Sequence, residues 1–166
     1  FRAPSLQQQY FQSTATNFIG GNPFEIFTFR VNDPAAIALG AEPLKAEEST
    51  NYSLGLVLQP IDGLYVTVDA YRIEIDDRVV LSENLTSTAV RNYLNSPGVG
   101  LTGVGGGRYF TNAIDTTTDG IDVVGTYNWK LANSTLDLTA GYNYNKTKVT
   151  RIAGNPASLT AIDRTA

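Results

Sequence analysis

Residues Ser49–Leu81 read STNYSLGLVLQ, then PIDG, then LYVTVDAYRIEIDDRVVL. In the first arm Tyr52, Leu54, Leu56 and Leu58 fall on one face. Asn51, Ser53, Gly55 and Gln59 fall on the other, with Val57 the apolar exception. Side chains of a strand alternate between faces, so this arm is a strand with one apolar and one polar side. Pro60-Ile61-Asp62-Gly63 is turn chemistry: Pro sets one φ, Asp bonds its own backbone, and Gly takes φ > 0. The second arm puts Leu64, Val66, Val68 and Ala70 on one face and Tyr65, Thr67, Asp69 and Tyr71 on the other. Two long arms and a tight turn make a hairpin. Past Tyr71 the apolar residues are Ile73 and Ile75, on the face of Asp69. Either a bulge at 70–72 switches the faces, or the strand leaves its apolar surroundings there. The cluster Arg72, Glu74, Asp76, Asp77 and Arg78 favours the second.

Outward from the hairpin, Glu25–Val31 alternates as a short strand, and Asp33-Pro34 through Gly40 carries the N-cap, first-turn Pro and terminal Gly of a short helix. Residues 82–107 form a long connection, with Thr86 or Ser87 capping a short helix over Ala89, Val90, Tyr93 and Leu94. Its end, Ser96–Gly107, is Gly-rich and reads as a mobile loop. A second hairpin follows. Ile121, Val123, Tyr127 and Trp129 alternate with Asp122, Thr126, Asn128 and Lys130; after Leu131-Ala132-Asn133-Ser134, residues Leu136, Leu138, Ala140, Tyr142 and Tyr144 alternate with Asp137, Thr139, Gly141, Asn143 and Asn145.

The expectation is an all-β chain, an antiparallel up-and-down meander of four long strands at 49–59, 64–76, 119–130 and 135–148. Short turns lie at one end and long segments, 1–48, 77–118 and 149–166, at the other. Outer-membrane barrels have this asymmetry, and each strand has the roughly 9–11 residues needed to span. Tyr127 and Trp129 near a short turn, and Tyr52, Tyr142 and Tyr144 toward the long segments, make two aromatic bands on the apolar face. A soluble sandwich also buries one apolar face, so alternation alone leaves both architectures open.

Composition narrows the chemistry. The chain has 166 residues, no Cys and no His, which removes disulfides, Cys-His or Ser-His catalysis and His- or Cys-based zinc sites. The formal charge of −4 argues against nucleic acid. Nine Tyr and seven Phe suit β structure. Gly98-Val99-Gly100-Leu101-Thr102-Gly103 has the spacing of a dinucleotide fingerprint but lacks the strand before it and the helix after it. Asp76-Asp77 and Glu47-Glu48 are adjacent carboxylates; neighbours in a strand point to opposite faces, so they read as strand ends and not as a catalytic pair or a calcium loop. Tyr10, Phe11, Phe18 and Phe24 either hold an apolar ligand or pack a long loop on itself, and loop packing is favoured. The sequence offers no catalytic residue, cofactor site or metal site, and its ligand-binding residues are not readable.

Four segments resemble TonB-dependent outer-membrane receptors. Phe1-Arg2-Ala3-Pro4-Ser5-Leu6 with Tyr10 resembles a family signature, and Leu44-Lys45-Ala46-Glu47-Glu48-Ser49 resembles the Leu-Lys-Pro-Glu-Lys-Ser motif that leads into a strand. Val68-Asp69-Ala70-Tyr71-Arg72-Ile73 with Asp76-Asp77-Arg78-Val79 resembles the next strand. Tyr109-Phe110-Thr111-Asn112-Ala113 through Gly120-Ile121-Asp122-Val123 resembles the Asn-Ala…Gly-Val-Glu/Asp motif. Ala46 and Glu48 depart from the usual Pro and Lys.

The resemblance implies an internal segment of the later half of a barrel of about 22 strands. It implies a bacterial outer-membrane receptor for energised uptake of a scarce nutrient such as an iron–siderophore. Its partners would be outer-membrane lipid, the plug domain, the remaining strands, TonB through a part outside these residues, and an unidentified extracellular ligand. The Asn-x-Ser/Thr matches, such as Asn84-Leu85-Thr86, are then chance. Asp69, Asp122, Asp137 and Asn143 would face the lumen, and the long loops would be extracellular. The alternative is a soluble β-rich binding or adhesive module. Four strands cannot close a barrel, for which about eight is the minimum, so the isolated piece is expected to self-associate.

Overall fold

The computed structural model describes residues 1–159. The chain is dominated by strands, and the backbone of its described residues divides into two compact units: 1–48, 77–114 and 151–159 form one, and 49–76 and 115–150 the other.

The second unit is built from parts of four long strands: β3 (Glu48–Ile61), β4 (Leu64–Leu81), β6 (Phe110–Lys130) and β7 (Thr135–Ile152). They lie in one sheet in the order β3-β4-β6-β7, an antiparallel up-and-down meander. The turn after β3 uses Gly63 at φ 85, as Pro60-Ile61-Asp62-Gly63 requires. The turn after β6 closes with the Leu131 N–H donating to the Ser134 carbonyl at 2.8 Å.

β4 carries no bulge at 70–72 that shifts its pairing. Asn128 N–H donates to Gly63 C=O and Ser82 N–H to Tyr109 C=O, both at 2.8 Å, and the two bonds are equal steps apart on β4 and on β6. Ile73 and Ile75 therefore stay on the face of Asp69 and Tyr71. The backbone irregularity lies further on, at Asp77, which has φ 53.

The first unit contains α1 (Leu6–Tyr10), β1 (Ser13–Ile19), β2 (Asn22–Thr28), α2 (Pro34–Ala38), α3 (Thr88–Leu94) and β5 (Gly106–Arg108). Ser5 and Gln8 form a reciprocal capping box on α1. Asp33 caps α2, with Pro34 at its first position, and Ser87 caps α3. β1 and β2 are an antiparallel hairpin turning at Gly20-Gly21, and β5 joins β2 in parallel.

Three expectations change here. Residues 7–21, part of the long segment expected at 1–48, hold a helical turn and a strand. The strand expected at 25–31 runs over 22–28 within a hairpin. The long segment expected from 149 begins as strand, since β7 continues to Ile152, while 160–166 of that segment lie outside the described residues.

The hydrophobic core sits entirely in the first unit. Phe29, Val31, Ala35, Ala36, Leu39, Ala41, Leu85, Val90, Leu94, Tyr109 and Leu159 form one buried cluster. Burying a Leu or Phe side chain is worth roughly 1.5–3 kcal/mol. The outer strands of the four-stranded sheet take no part in this core, since every residue of β3 and of β7 is exposed.

Candidate functional site

Two surfaces and one junction carry what this molecule can do. In the four-stranded unit, cross-strand contacts define the polar face. Thr118, Asp122, Thr126 and Asn128 of β6 hydrogen-bond Thr147, Asn143, Thr139 and Asp137 of β7. Each step along β6 is matched by an equal step back along β7, so the register is regular. On the same face the Asp69 carboxylate lies over Gly55, and the Tyr71 ring lies over Gly120. Asp69, Asp122, Asp137 and Asn143 thus share one side of the sheet, and two of these acids are held by Asn side chains.

Alternation then fixes the opposite face: Tyr52, Leu54, Leu56 and Leu58 on β3; Leu64, Val66, Val68 and Ala70 on β4; Ile121, Val123, Tyr127 and Trp129 on β6; Leu136, Leu138, Ala140, Tyr142 and Tyr144 on β7. This face is bare. Leu54 is 72% exposed, Leu56 56% and Tyr142 63%. Four adjacent strands of Leu, Val, Ile and aromatics left in the open far exceed the scattered exposed apolar residues of an ordinary surface. Tyr127 and Trp129 stand together at the turn end, ring centroids 6.5 Å apart. At the other end of the same face Arg72 and Asp119 pair at 2.6 Å, half exposed.

The junction lies in the first unit and gathers residues from all four quoted segments. Arg2 and Glu47 pair through their backbones, N–H to carbonyl, at 2.8 and 2.9 Å, and their side chains approach to 3.7 Å. The Glu47 carboxylate is nearly buried and accepts the Val79 N–H at 2.9 Å. Asn112 accepts from the Lys45 N–H at 2.9 Å and donates to the Lys45 carbonyl at 3.1 Å and the Asp77 carbonyl at 2.5 Å. Arg151 donates to the Asp77 carboxylate at 2.9 Å. Glu47 and Asp77, weighed from sequence as possible chemistry, are here bound to backbone and to arginines. The junction is a structural clamp: these atoms are already engaged with one another.

The four loop aromatics are not gathered into one site. Phe24 lies beneath the Arg91 guanidinium, 5.7 Å from its centroid, and against Gly105. Phe18 is 75% exposed near the hairpin tip. Tyr10 lines a cleft of about 220 Å³ with Gln9, Val31, Asn32, Ile37, Pro43 and Leu44. Phe11 is partly exposed. The Gly98–Gly103 stretch follows α3 and precedes β5, the reverse of the order that phosphate binding requires. It is pinned by Asn95, whose side chain accepts from the Gly103 N–H at 2.8 Å and donates to the Val104 carbonyl at 2.9 Å.

In the first unit, which carries the loops, burial pushes the Tyr109 hydroxyl above its ordinary range, and Glu42 adds to this. Its proton is held by the Leu39 carbonyl at 2.9 Å.

The family model described as "TonB dependent receptor-like, beta-barrel" matches residues 1–163. No curated protein and no solved structure matches the chain.

Proposed function

The chain belongs to the TonB-dependent receptor-like β-barrel family, and from that premise we propose that it forms wall and extracellular loops of a bacterial outer-membrane receptor. The receptor would take up a scarce nutrient such as an iron–siderophore, making and breaking no covalent bond. TonB would supply the energy through parts outside this chain. β3, β4, β6 and β7 would cross the membrane, with the face of Leu58, Val66 and Tyr127 against lipid. The face of Asp69, Asp122 and Asn143 would line the plug-filled lumen. The first unit would lie outside the cell, where ligand arrives.

The observation that carries this reading is the bare apolar face on a sheet whose polar side is hydrogen-bonded strand to strand. Its height supports it as well. Ile121 to Trp129 spans about 27 Å along β6 at roughly 3.4 Å per residue. A tilt of about 40° reduces this to about 21 Å, near the roughly 25 Å apolar band of such barrels.

This chain has no cysteine, so in a full-length receptor whose other cysteines are replaced by serine each introduced thiol reports alone. Single cysteines are placed in the full-length receptor and treated with a membrane-impermeant maleimide on intact cells. Phe18→Cys is expected to label at once, Asp62→Cys only after the outer membrane is opened, and Leu58→Cys in neither case. Rapid labelling of Leu58→Cys, or labelling of Asp62→Cys on intact cells, would sink the reading. The isolated 166-residue piece is expected to form oligomers that mild detergent disperses, because β3 and β7 leave open edges beside the apolar face. A monodisperse monomer in plain buffer, unchanged by detergent, would count against it.

A further inference from the structure

The cleft beside α1 has a composition that selects among ligands. Its walls come from four places in the loop unit: Gln9 and Tyr10 of α1, Val31-Asn32, Ile37 of α2, and Pro43-Leu44. Val31 is buried, and Leu44 packs on the hydrophobic core, so the floor is fixed by the same cluster that holds the unit together. The walls of α1 and the 31–32 turn are joined by the Val31 N–H donating to the Gln9 carbonyl at 3.3 Å. Gln9 is held in turn, its side-chain amide donating to the Pro4 carbonyl at 3.0 Å.

Two large apolar side chains stand half in solvent at this cleft, Tyr10 at 53% and Ile37 at 54% exposure. A ligand that covers both gains hydrophobic stabilisation. Among the described residues, no Asp, Glu, Lys or Arg lines the cleft. A charged ligand group would lose its water there without a counter-charge among the described lining residues, which disfavours it. A neutral ring loses little water and gains contact with Tyr10, Ile37 and Leu44. Pockets that enclose a whole drug-sized molecule run from roughly 300 Å³ upward. At about 220 Å³ this one suits a single ring or short apolar arm.

We infer that the cleft between α1 and α2, lined by Tyr10, Ile37 and Leu44, binds an uncharged ring-bearing portion of the ligand. This deepens the receptor reading and rests on it for the existence of a ligand. Any charged part of that ligand would be recognised elsewhere.

The test uses the full-length receptor in lipid nanodiscs and trifluoromethyl-phenyl-diazirine, a neutral aromatic photolabel, with crosslinks mapped by mass spectrometry. Crosslinks are expected at Tyr10, Ile37 and Leu44, suppressed by excess phenol and not by benzoate, the comparable ring carrying a charge. Ile37→Asp places a carboxylate at a half-exposed position and should reduce cleft crosslinks about tenfold or more. Tyr10→Ala should reduce them as well, and crosslinks at Leu58 and Val123 should stay unchanged in both variants. Absent cleft crosslinks beside strong strand crosslinks would overturn the inference and leave the membrane reading standing. Equal competition by phenol and benzoate would overturn it too. Cleft crosslinks without strand crosslinks would support the cleft and remove the membrane reading.

Discussion

Asn112 binds Lys45 by both of its backbone polar groups, accepting from the N–H at 2.9 Å and donating to the carbonyl at 3.1 Å. One amide side chain thus does for residue 45 what a neighbouring strand would do, three residues before β3 begins. The same Nδ2 donates to the carbonyl of Asp77, where β4 takes its positive φ. Three distant segments therefore meet on one side chain. Asn112→Ala strips these partners and is expected to cost about 1–3 kcal/mol. Asn112→Asp keeps the acceptor but turns the donor into an oxygen facing two carbonyls, so it should cost more than Ala. Thermal unfolding of the full-length receptor and the rate of trypsin cleavage after Lys45 would check this. An Asp variant as stable as the parent would show that the clamp does not hold the segment.

Tyr71 and Gly120 make the second relationship worth testing. A Cβ built on Gly120 would collide with the Tyr71 ring, so the ring occupies space only a glycine leaves open. The ring covers a residue that is intrinsically poor in a strand. Gly120→Val should destabilise the barrel by about 1–3 kcal/mol, since the ring must rotate away. In a Tyr71→Ala background the same change should cost much less, because the obstruction is gone and Val favours a strand. A double-mutant cycle on urea unfolding in detergent measures the coupling. Strict additivity would mean that the ring and the glycine are energetically independent.

The sequence carried most of the four-stranded sheet because one face is apolar and the other polar, and a period of two survives in the letters. Helices α2 and α3 were legible through Asp33-Pro34 and Ser87, whose side chains bond to the first-turn amides. The hairpin of β1 and β2 was not. Ser13, Ala15 and Asn17 face inward while Thr14 and Thr16 face out, so small polar residues on both sides leave no hydrophobic period. Gly20-Gly21 was the available signal. β6 was expected from 119 and begins at Phe110, because Thr116-Thr117-Thr118 breaks the alternation without breaking the strand. The junction lay deeper still. Arg2, Glu47, Asp77 and Asn112 sit in recognisable segments, yet a hydrogen bond from Asn112 to Lys45 crosses 67 residues and leaves no local pattern.

Tyr109 gives the loop unit a dependence on high pH. Its hydroxyl is buried, bonded to the Leu39 carbonyl, and harder to ionise than a free tyrosine. The folded pKa is raised above the unfolded value of about 10. Below that value both states hold the proton and the full stability is present. Above it the unfolded chain releases a proton that the folded chain retains, so stability falls as pH rises. Tyr109→Phe should lose about 1 kcal/mol at neutral pH with the hydrogen bond, and should flatten the decline above about pH 10. Unfolding midpoints of both proteins across pH 8–11 would decide it; parallel curves would assign the decline to other groups.

Val57 and Leu58 are neighbours in β3, both exposed, and differ only in the face they occupy. Composition cannot tell them apart, since both are aliphatic. The membrane reading separates them sharply. Leu58 sits in the middle of the apolar band, where an arginine facing lipid costs about 2–4 kcal/mol. Val57 shares the polar face of Asp69 and Gln59, where an arginine meets water and carboxylates. Leu58→Arg is therefore expected to lower the unfolding free energy of the receptor in bilayers by that amount, and Val57→Arg by less than about 1 kcal/mol. A soluble sandwich with the apolar side buried would also penalise Leu58→Arg, so a second solvent is needed. On moving from thick to thin bilayers the Leu58→Arg penalty should shrink, because the charge comes nearer to water. A penalty independent of bilayer thickness would mean that Leu58 faces protein and not lipid.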